Sequence, residues 1–306
     1  MSDRDADTAT ATRCGFVALI GAPNAGKSTL LNTLVGQKVA IVTHKVQTTR
    51  ARLRGIALEG DSQIVFIDTP GIFTPRRRLD RAMVAAAWDG AKDADLVVWI
   101  VDAGRGLRMD DEAILETLQA SGRRVIVALN KVDTVKRETL LALAARIDAA
   151  GVAESIFMIS ALTGDGVADL KAHLAAAAPM GPWLYPADQV SDVTTRVLAA
   201  EITREKIYLR LHQELPYDIT VETESWDERK DGSVAINQVI HVARDSQKKI
   251  VIGHQGRSLK AIGQAAREDM EALLERRVHL FLFVRVTENW SEQREHFLAM
   301  GLDYVS

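Results

Sequence analysis

The chain has 306 residues, of which 47% are hydrophobic, and its formal net charge is −3 at pH 7. This length predicts about two domains, each with an ordinary core. The charge excludes a protein that binds nucleic acid through an overall basic surface, so such binding would need a local basic patch. Cys14 is the single cysteine. An intrachain disulfide is therefore excluded, and a cytosolic protein is favoured.

The composition of the first residues predicts a tail rather than a targeting signal. Residues 1–12 are polar and acidic, so we expect a disordered tail there rather than a signal peptide. No apolar run in the sequence approaches the ~20 residues that a membrane-spanning helix needs.

The most informative segment lies close behind this tail. The run Gly15–Ile20 predicts a buried strand, and Thr29–Val35 predicts an amphipathic helix. The loop between them fits the phosphate-binding pattern and reads Gly21-Ala22-Pro23-Asn24-Ala25-Gly26-Lys27-Ser28. Its backbone N–H groups and the helix N-terminus would hold phosphate oxygens, with Lys27 on the terminal phosphates and Ser28 on a magnesium ion. The alternative is a chance glycine-rich turn, against which the flanking strand and helix argue.

Short apolar runs alternate with helical stretches as far as about Ala178. The runs are residues 64–67, 96–101, 125–129 and 156–159, and helices are predicted at 110–121 and 136–150. Continuous β-branched runs are typical of parallel strands buried on both faces. The alternation therefore predicts a doubly wound, mostly parallel α/β domain at residues 13–178.

Two loops after predicted strands carry candidate site residues. Asp68-Thr69-Pro70-Gly71 follows the strand that ends at Ile67. Asp68 could hold magnesium through water, and the amide of Gly71 could approach a γ-phosphate because glycine has no side chain to block it. An ordinary turn is the alternative.

The second loop, Asn130-Lys131-Val132-Asp133, indicates the base. The Asp133 carboxylate can accept two hydrogen bonds from guanine, whereas adenine lacks the matching pair of donors. Lys131 could lie along the base and Asn130 could tie this loop to the phosphate loop. The alternative is a helix start with Asp133 as N-cap.

Two further assignments depend on the preceding motifs. Ser160-Ala161 ends another strand, where backbone amides could meet the guanine carbonyl. Within Gln47-Thr48-Thr49-Arg50, the Thr49 hydroxyl could complete the magnesium shell when a γ-phosphate is present.

With these five segments in order, residues 13–178 resemble the translation-factor-related small GTPases. The resemblance implies GTP hydrolysis and two mobile loops, at about residues 36–54 and 71–91. Ras-like GTPases place a glutamine where this chain has Ile72. In related GTPases that share the loop asparagine, a potassium ion stands in for an arginine finger. The resemblance thus makes Asn24 a potassium ligand, with Lys27 and Thr49 as the other catalytic candidates; a loop-shaping role of Asn24 is the alternative.

A proline-rich linker, residues 179–190, separates a second module at 191–306. The predicted elements are a helix at 190–212, strands at 218–224 and 234–243 around an Asp231-Gly232 turn, a short helix, a helix at 256–276, a strand at 278–286 and a terminal helix. Asn289 or Ser291 is the expected N-cap of that last helix.

A glycine loop in this module indicates nucleic-acid binding. Gly253-His254-Gln255-Gly256 joins an apolar segment to an amphipathic helix, as in a KH domain, whose loop clamps the backbone of single-stranded nucleotides. Local positive charge comes from Lys248, Lys249, His254, Arg257 and Lys260. A turn that joins two helices is the alternative.

A GTPase followed by one KH module resembles the Era family of bacterial ribosome-assembly GTPases. Arg204-Glu205-Lys206 and Glu214-Leu215-Pro216-Tyr217 also resemble that family. The resemblance implies a type II KH domain, binding near the 3′ end of 16S rRNA, and a role in maturing the small (30S) subunit. It further implies a cytoplasmic monomer, with at most a weak, charge-mediated association with the membrane.

Two other classes of protein stay open. One is an ATP-using motor or kinase, against which Asp133 argues. The other is a switch whose KH-like module recognises a protein partner, against which the basic glycine loop argues.

Overall fold

The computed structural model describes residues 12–43, 48–49, 53–211, 219–288, 290, 293–294 and 302–304. The described residues pack into two compact units. The first contains those of Met1–Gln37, Leu53–Thr69 and Trp88–Asp192, and the second contains those of Lys38–Arg52, Pro70–Ala87 and Val193–Ser306. Two segments from the first half of the chain therefore pack with the C-terminal elements.

The first unit is built on a six-stranded sheet with the order β2-β3-β1-β4-β5-β6. The strands are β1 (Arg13–Ile20), β2 (Leu53–Glu59), β3 (Ser62–Asp68), β4 (Leu96–Asp102), β5 (Val125–Asn130) and β6 (Ala153–Met158). β2 runs antiparallel to β3, and the other neighbouring pairs are parallel. The predicted doubly wound, mostly parallel sheet is confirmed.

The helices of the alternating pattern are α1 (Lys27–Val35), α2 (Arg78–Asp93), α3 (Met109–Ser121), α4 (Arg137–Ala149) and α5 (Val167–Ala177). The central strands are fully buried, as in Val98–Val101, which explains their unbroken apolar sequence. Because β3, β4 and β5 run in the same direction, their polar last residues Asp68, Asp102 and Asn130 lie at one edge of the sheet.

β2 was not predicted from the sequence. Arg54 and Gly55 interrupt its apolar run, so the strand signal is weak. The structure explains Gly55: a Cβ there would lie 2.6 Å from Leu31 Cδ1 of α1. β2 forms a hairpin with β3 through Gly60, whose φ of +54° suits a tight turn.

The end of the linker follows the outer edge of β2. The Ile56 amide donates to the Val190 carbonyl at 2.8 Å, and Ser191 forms a bridge with Gly55. Residues that pair with a strand edge cannot also be helical. The helix predicted from Val190 therefore begins only at Thr195, capped by the Thr194 hydroxyl, which accepts from the Val197 amide.

The described C-terminal elements of the second unit form a three-stranded sheet with three helices. They are α6 (Thr195–Arg210), β7 (Ile219–Glu228), β8 (Val234–Val242), α7 (Asp245–Ile252), α8 (Arg257–Leu274) and β9 (Val278–Val286). β7 is antiparallel to β8, and β8 is parallel to β9. The predicted α+β order is confirmed as far as β9. Glu214–Tyr217, the predicted ends at His212 and Asp218, and most of the predicted terminal helix lie outside the described residues.

Two apolar clusters hold these helices against the sheet. One contains Ile202, Ile236 and Met270, and the other contains Ile207, Ile240 and Ile262. Because α6 and α8 supply residues to both clusters, both helices are packed against the same sheet along their length.

The same unit contains the first part of α2. Leu79 and Met83 form a buried cluster with Trp290 and Leu302 near the chain end. The predicted N-caps Asn289 and Ser291 lie outside the described residues. Within the described chain, no helix combines the length and apolarity that crossing a membrane requires.

Candidate functional site

The phosphate loop has a backbone that only glycine fits at its last turn. Gly26 has a φ of +104°, and a Cβ there would lie 2.2 Å from the Asn130 side-chain nitrogen. α1 begins at the next residue, Lys27, with no acidic residue in its first turn. The N-terminus of α1 and its dipole therefore face this loop, an arrangement that suits a phosphate group.

Lys27 is buried within the loop, and its ammonium donates to the carbonyls of Gly21 at 2.9 Å and Ala22 at 3.0 Å. Burial lowers the pKa of Lys27 to about 8, and the charges of Asp68 and Asp111 limit the fall. A bound phosphate would restore the pKa because it favours the charged form.

Ser28 and Asp68 meet beside Lys27. The Ser28 hydroxyl donates to Asp68 Oδ2 at 2.7 Å, and the neighbouring Thr69 hydroxyl donates to the Leu19 carbonyl at 2.7 Å. A hydroxyl and one carboxylate fit a magnesium ion, which usually takes few protein ligands and completes its shell with phosphate and water. Such an ion neutralises charge on the nucleotide phosphates when bound.

Asn130 ties the base loop to the phosphate loop, as predicted from its position. Its side-chain amide donates to the Ala25 carbonyl at 2.8 Å and accepts from the Ala161 amide at 2.9 Å. Lys131, in the left-handed conformation, donates to the Asn24 carbonyl at 2.8 Å and to Asp102 Oδ2 at 2.6 Å. The Lys131–Asn24 bond thus ties the same two loops a second time, and the Lys131–Asp102 ion pair joins the base loop to the end of β4.

Asp102 was not among the predicted site residues. A signal for it existed, because Asp102 ends an apolar strand as Asp68 and Asn130 do. The Asp102 carboxylate also accepts from the Gly104 amide at 3.0 Å, so it organises the β4–α3 loop as well.

Asp133 is exposed in a short 3₁₀ helix, Val132–Thr134. The residue that precedes this turn is Lys131, and α4 is preceded by Lys136. The alternative that made Asp133 an N-cap is therefore wrong, and its carboxylate is available to a base. Ser160 and Ala161 are buried near Asn130, and their contact with the guanine carbonyl stays a prediction.

The structure gathers only part of the predicted nucleotide site in the first unit. That part consists of residues 21–28, 68–69, 130–133 and 160–161. Thr49, Pro70, Gly71 and Ile72 are buried in the second unit, and Gln47 and Arg50 lie outside the described residues. The roles of Thr49, Gly71 and Ile72 toward a nucleotide stay predictions.

The glycine loop of the second unit joins α7 to α8. Gly253 has a φ of +73°, and a Cβ there would lie 2.6 Å from Ser258 Cβ, so the turn needs glycine. The side chains of Lys249, His254, Gln255, Arg257 and Lys260 are exposed around it, and Lys248 is half-buried.

A groove of about 590 Å³ continues from this loop between α8 and β9. α8 contributes Lys260, Gln264 and Arg267, and β9 contributes His279 and Phe281. In the described sheet β9 is an edge strand, and its consecutive residues 278–282 line this groove. No motif predicted the further groove residues Gln264, Arg267, His279 and Phe281, which follow the loop at helical or strand spacing.

Comparison with known proteins gives the same two modules. A family model described as a 50S ribosome-binding GTPase matches residues 16–131, and a KH domain model matches residues 214–291. The curated GTPase Era of Mesorhizobium japonicum is 60% identical over 304 residues, which cover 99% of this chain and 98% of that protein.

The chain belongs to the Era family of GTPases. GTPase Era of Rhizobium meliloti is 61% identical over 307 residues, with 99% of this chain and 98% of that protein covered. Membership of the Era family makes this chain a GTP-hydrolysing enzyme. The predictions of a P-loop GTPase followed by a KH domain are confirmed, and the alternative of an ATP-using motor or kinase is wrong.

Solved Era structures are similar over nearly the full chain. A variant Era of Aquifex aeolicus bound to GDP·AlF4⁻ has a TM-score of 0.89 and 36% identity, covering 95% of this chain and 99% of that chain. An Era bound to MgGDPNP and nucleotides 1506–1542 of 16S ribosomal RNA has a TM-score of 0.90 at the same identity and coverage.

Proposed function

We propose that this Era-family GTPase binds single-stranded RNA near the 3′ end of 16S rRNA and couples that binding to its nucleotide state. In this role it acts in the maturation of the small ribosomal subunit. The proposal includes a magnesium ion at Ser28, Asp68 and Thr49, and a potassium ion at Asn24. A cytoplasmic monomer that associates at most weakly with membranes stays the expectation.

The observation that carries the RNA assignment is the groove beside the glycine loop. Its basic side chains, Lys260 and Arg267, suit phosphates, while the apolar Leu280 and Leu282 can contact the faces of unstacked bases. The outer edge of β9 offers backbone donors and acceptors to the edges of those bases. An RNA-bound Era with the same fold supports this assignment.

The coupling assignment is supported by the packing of the second unit. The residues of the two predicted mobile loops that are described in that unit pack with its C-terminal elements. A loop that orders around a γ-phosphate would thereby change its contacts with the body that carries the RNA groove.

The test is the binding of an oligonucleotide that matches the 3′ end of the small-subunit rRNA. The protein is loaded in turn with a non-hydrolysable GTP analogue and with GDP, and the RNA Kd is measured across a salt series. We expect tight binding that differs between the two states and that is lost when Gly253 and Gly256 are both replaced by aspartate.

Lys260→Ala and Lys230→Ala form a matched pair, because both lysines are exposed in the same unit and only Lys260 lines the groove. Removing one phosphate contact lowers the slope of log K against log salt by about 0.7 for a single strand. We expect that change for Lys260→Ala and none for Lys230→Ala. Absence of RNA binding in both nucleotide states would instead favour a protein partner for the KH module.

A further inference from the structure

α6 carries two buried charged residues that face the segment between α1 and β2. Arg204 and Glu205 are 2% and 4% exposed. The described residues of that segment in the second unit, 38–43 and 48–49, are called the α1–β2 segment below. Charged side chains are almost never this buried without partners, so their contacts indicate what they hold.

Glu205 holds the beginning of the α1–β2 segment. Its Oε1 accepts from the Val42 amide at 2.8 Å, and its Oε2 accepts from the Lys38 ammonium at 2.7 Å. Lys38 also contacts Asp269 of α8 at 3.1 Å. Burial alone would lower the pKa of Lys38, but these two carboxylates outweigh it and the pKa is raised. Lys38 therefore stays charged and bound at neutral pH.

Arg204 holds the other end of the α1–β2 segment. Its guanidinium donates to the Thr48 carbonyl and to Glu201, with a second bond to Glu201 at 2.8 Å, and it lies 5.2 Å from the centre of the Tyr208 ring. Burial alone would lower the pKa of Arg204, but Glu201 reverses the effect and the pKa is raised. The guanidinium is therefore a permanently charged donor.

The contact with Thr48 acts directly on Thr49. The Thr48 carbonyl and the Thr49 nitrogen belong to one planar peptide unit. A hydrogen bond that fixes the carbonyl therefore also fixes the positions of the Thr49 backbone nitrogen and Cα. Under the proposed function, Thr49 completes the magnesium shell when a γ-phosphate is present. That role depends on placing one short side chain within a fraction of an ångström.

We propose that Arg204 and Glu205 are positioning residues for GTP hydrolysis, which hold the α1–β2 segment from the C-terminal module. This inference deepens the proposed function because it rests on the role of Thr49. The same contacts supply the route of coupling. Asp269 lies on α8, whose first turn carries the groove residue Lys260, so RNA on that helix and the position of Lys38 influence each other reciprocally.

The experiment compares Arg204→Met, Arg204→Lys and Glu205→Leu with Arg210→Ala, which removes an exposed arginine from the same helix. For each variant, kcat and KM for GTP, the Kd for GDP, and the RNA Kd in both nucleotide states are measured. Methionine keeps much of the buried volume and removes the hydrogen-bond donors. Lysine keeps the positive charge and a single donor group, the ammonium.

We expect Arg204→Met and Glu205→Leu to lower kcat by about tenfold or more, with a GDP Kd within about twofold of the native value. The ratio of RNA Kd values in the two nucleotide states should move toward one, while the RNA Kd in the GDP state is retained. Arg204→Lys should recover part of kcat, and Arg210→Ala should match the native protein.

Two results would overturn the inference. One is a native kcat in both Arg204→Met and Glu205→Leu. The other is a parallel loss of kcat, GDP affinity and GDP-state RNA affinity, which would indicate damage to the fold rather than lost positioning. A native protein that binds RNA equally in both nucleotide states would instead contradict the proposed coupling, and kcat would still decide the positioning role.

Discussion

Replacing Asn130 by alanine tests the link between the phosphate loop and the base loop. Asn130 is 2% exposed and makes two hydrogen bonds, from its amide to the Ala25 carbonyl at 2.8 Å and from the Ala161 amide to its oxygen at 2.9 Å. The substitution by alanine removes both of these hydrogen bonds at once. The Ala25 carbonyl and the Ala161 amide then have to be satisfied in another way.

The cost follows from these two orphaned groups. A buried polar group that loses its partner costs about 1–3 kcal/mol, so the pair costs about 2–6 kcal/mol. In the free variant the loops can separate and admit water, whereas a bound nucleotide needs both loops in place. The penalty therefore falls on the bound state, and we expect the GDP Kd to rise by about 30-fold to 10⁴-fold.

The assay is a titration with a fluorescent GDP analogue at fixed pH and magnesium concentration. Asn130→Asp separates the two bonds, since it keeps the acceptor for Ala161 but places a second acceptor against the Ala25 carbonyl. We expect it to bind GDP no more tightly than Asn130→Ala. Thr134→Ala is the matched control, because it removes one exposed hydrogen bond from the same loop and should change the Kd by less than about fivefold.

A GDP Kd for Asn130→Ala within about threefold of the native value would refute this reasoning. It would mean that the Lys131–Asn24 bond holds the two loops together without Asn130. Native affinity in Asn130→Asp would show that the bond to the Ala25 carbonyl contributes nothing.

Further predictions concern charge, the monovalent ion and the base. Because the buried Lys27 has a lowered pKa of about 8, its charge is lost as pH rises through that value, so GDP affinity should fall by about tenfold from pH 7 to 9. Lys27→Arg should show a smaller fall, measured by the same titration, because guanidinium stays charged. Potassium should raise the kcat for GTP above its value in sodium, and Asn24→Ala should remove the difference. Asp133→Ala should reduce the preference for GDP over ADP by about 10²-fold or more, since it removes two hydrogen bonds to a charged acceptor.

Each of these predictions has an opposite outcome. If GDP affinity falls equally with pH in the native protein and in Lys27→Arg, the fall would be assigned to titration of the nucleotide base itself. Equal hydrolysis rates in potassium and sodium would exclude the proposed role of Asn24. An unchanged GDP-to-ADP ratio in Asp133→Ala would move base recognition to other residues of the loop.

Local motifs were predictable because their chemistry depends on neighbouring residues. The phosphate loop needs glycine at Gly26, where a left-handed turn passes against Asn130, and the glycine loop needs Gly253, where the chain passes against Ser258. β2 was missed because Gly55 interrupts its pattern, although α1 packs on that glycine. The helix start predicted at Val190 was wrong because residues 190 and 191 pair with β2. That strand is distant in sequence, so no local pattern predicts the pairing.

The sequence by itself determined the two modules, their order, and the residues expected to meet phosphate, base and RNA, because short motifs with fixed spacing carry that information. Only the tertiary structure decided which distant groups hold those motifs in place. Asn130 reaches Ala25 across 105 positions, and Arg204 reaches Thr48 across 156. Such partners have no periodic signal, since they are chosen by how the elements pack and by the need of each buried charge or amide for a partner.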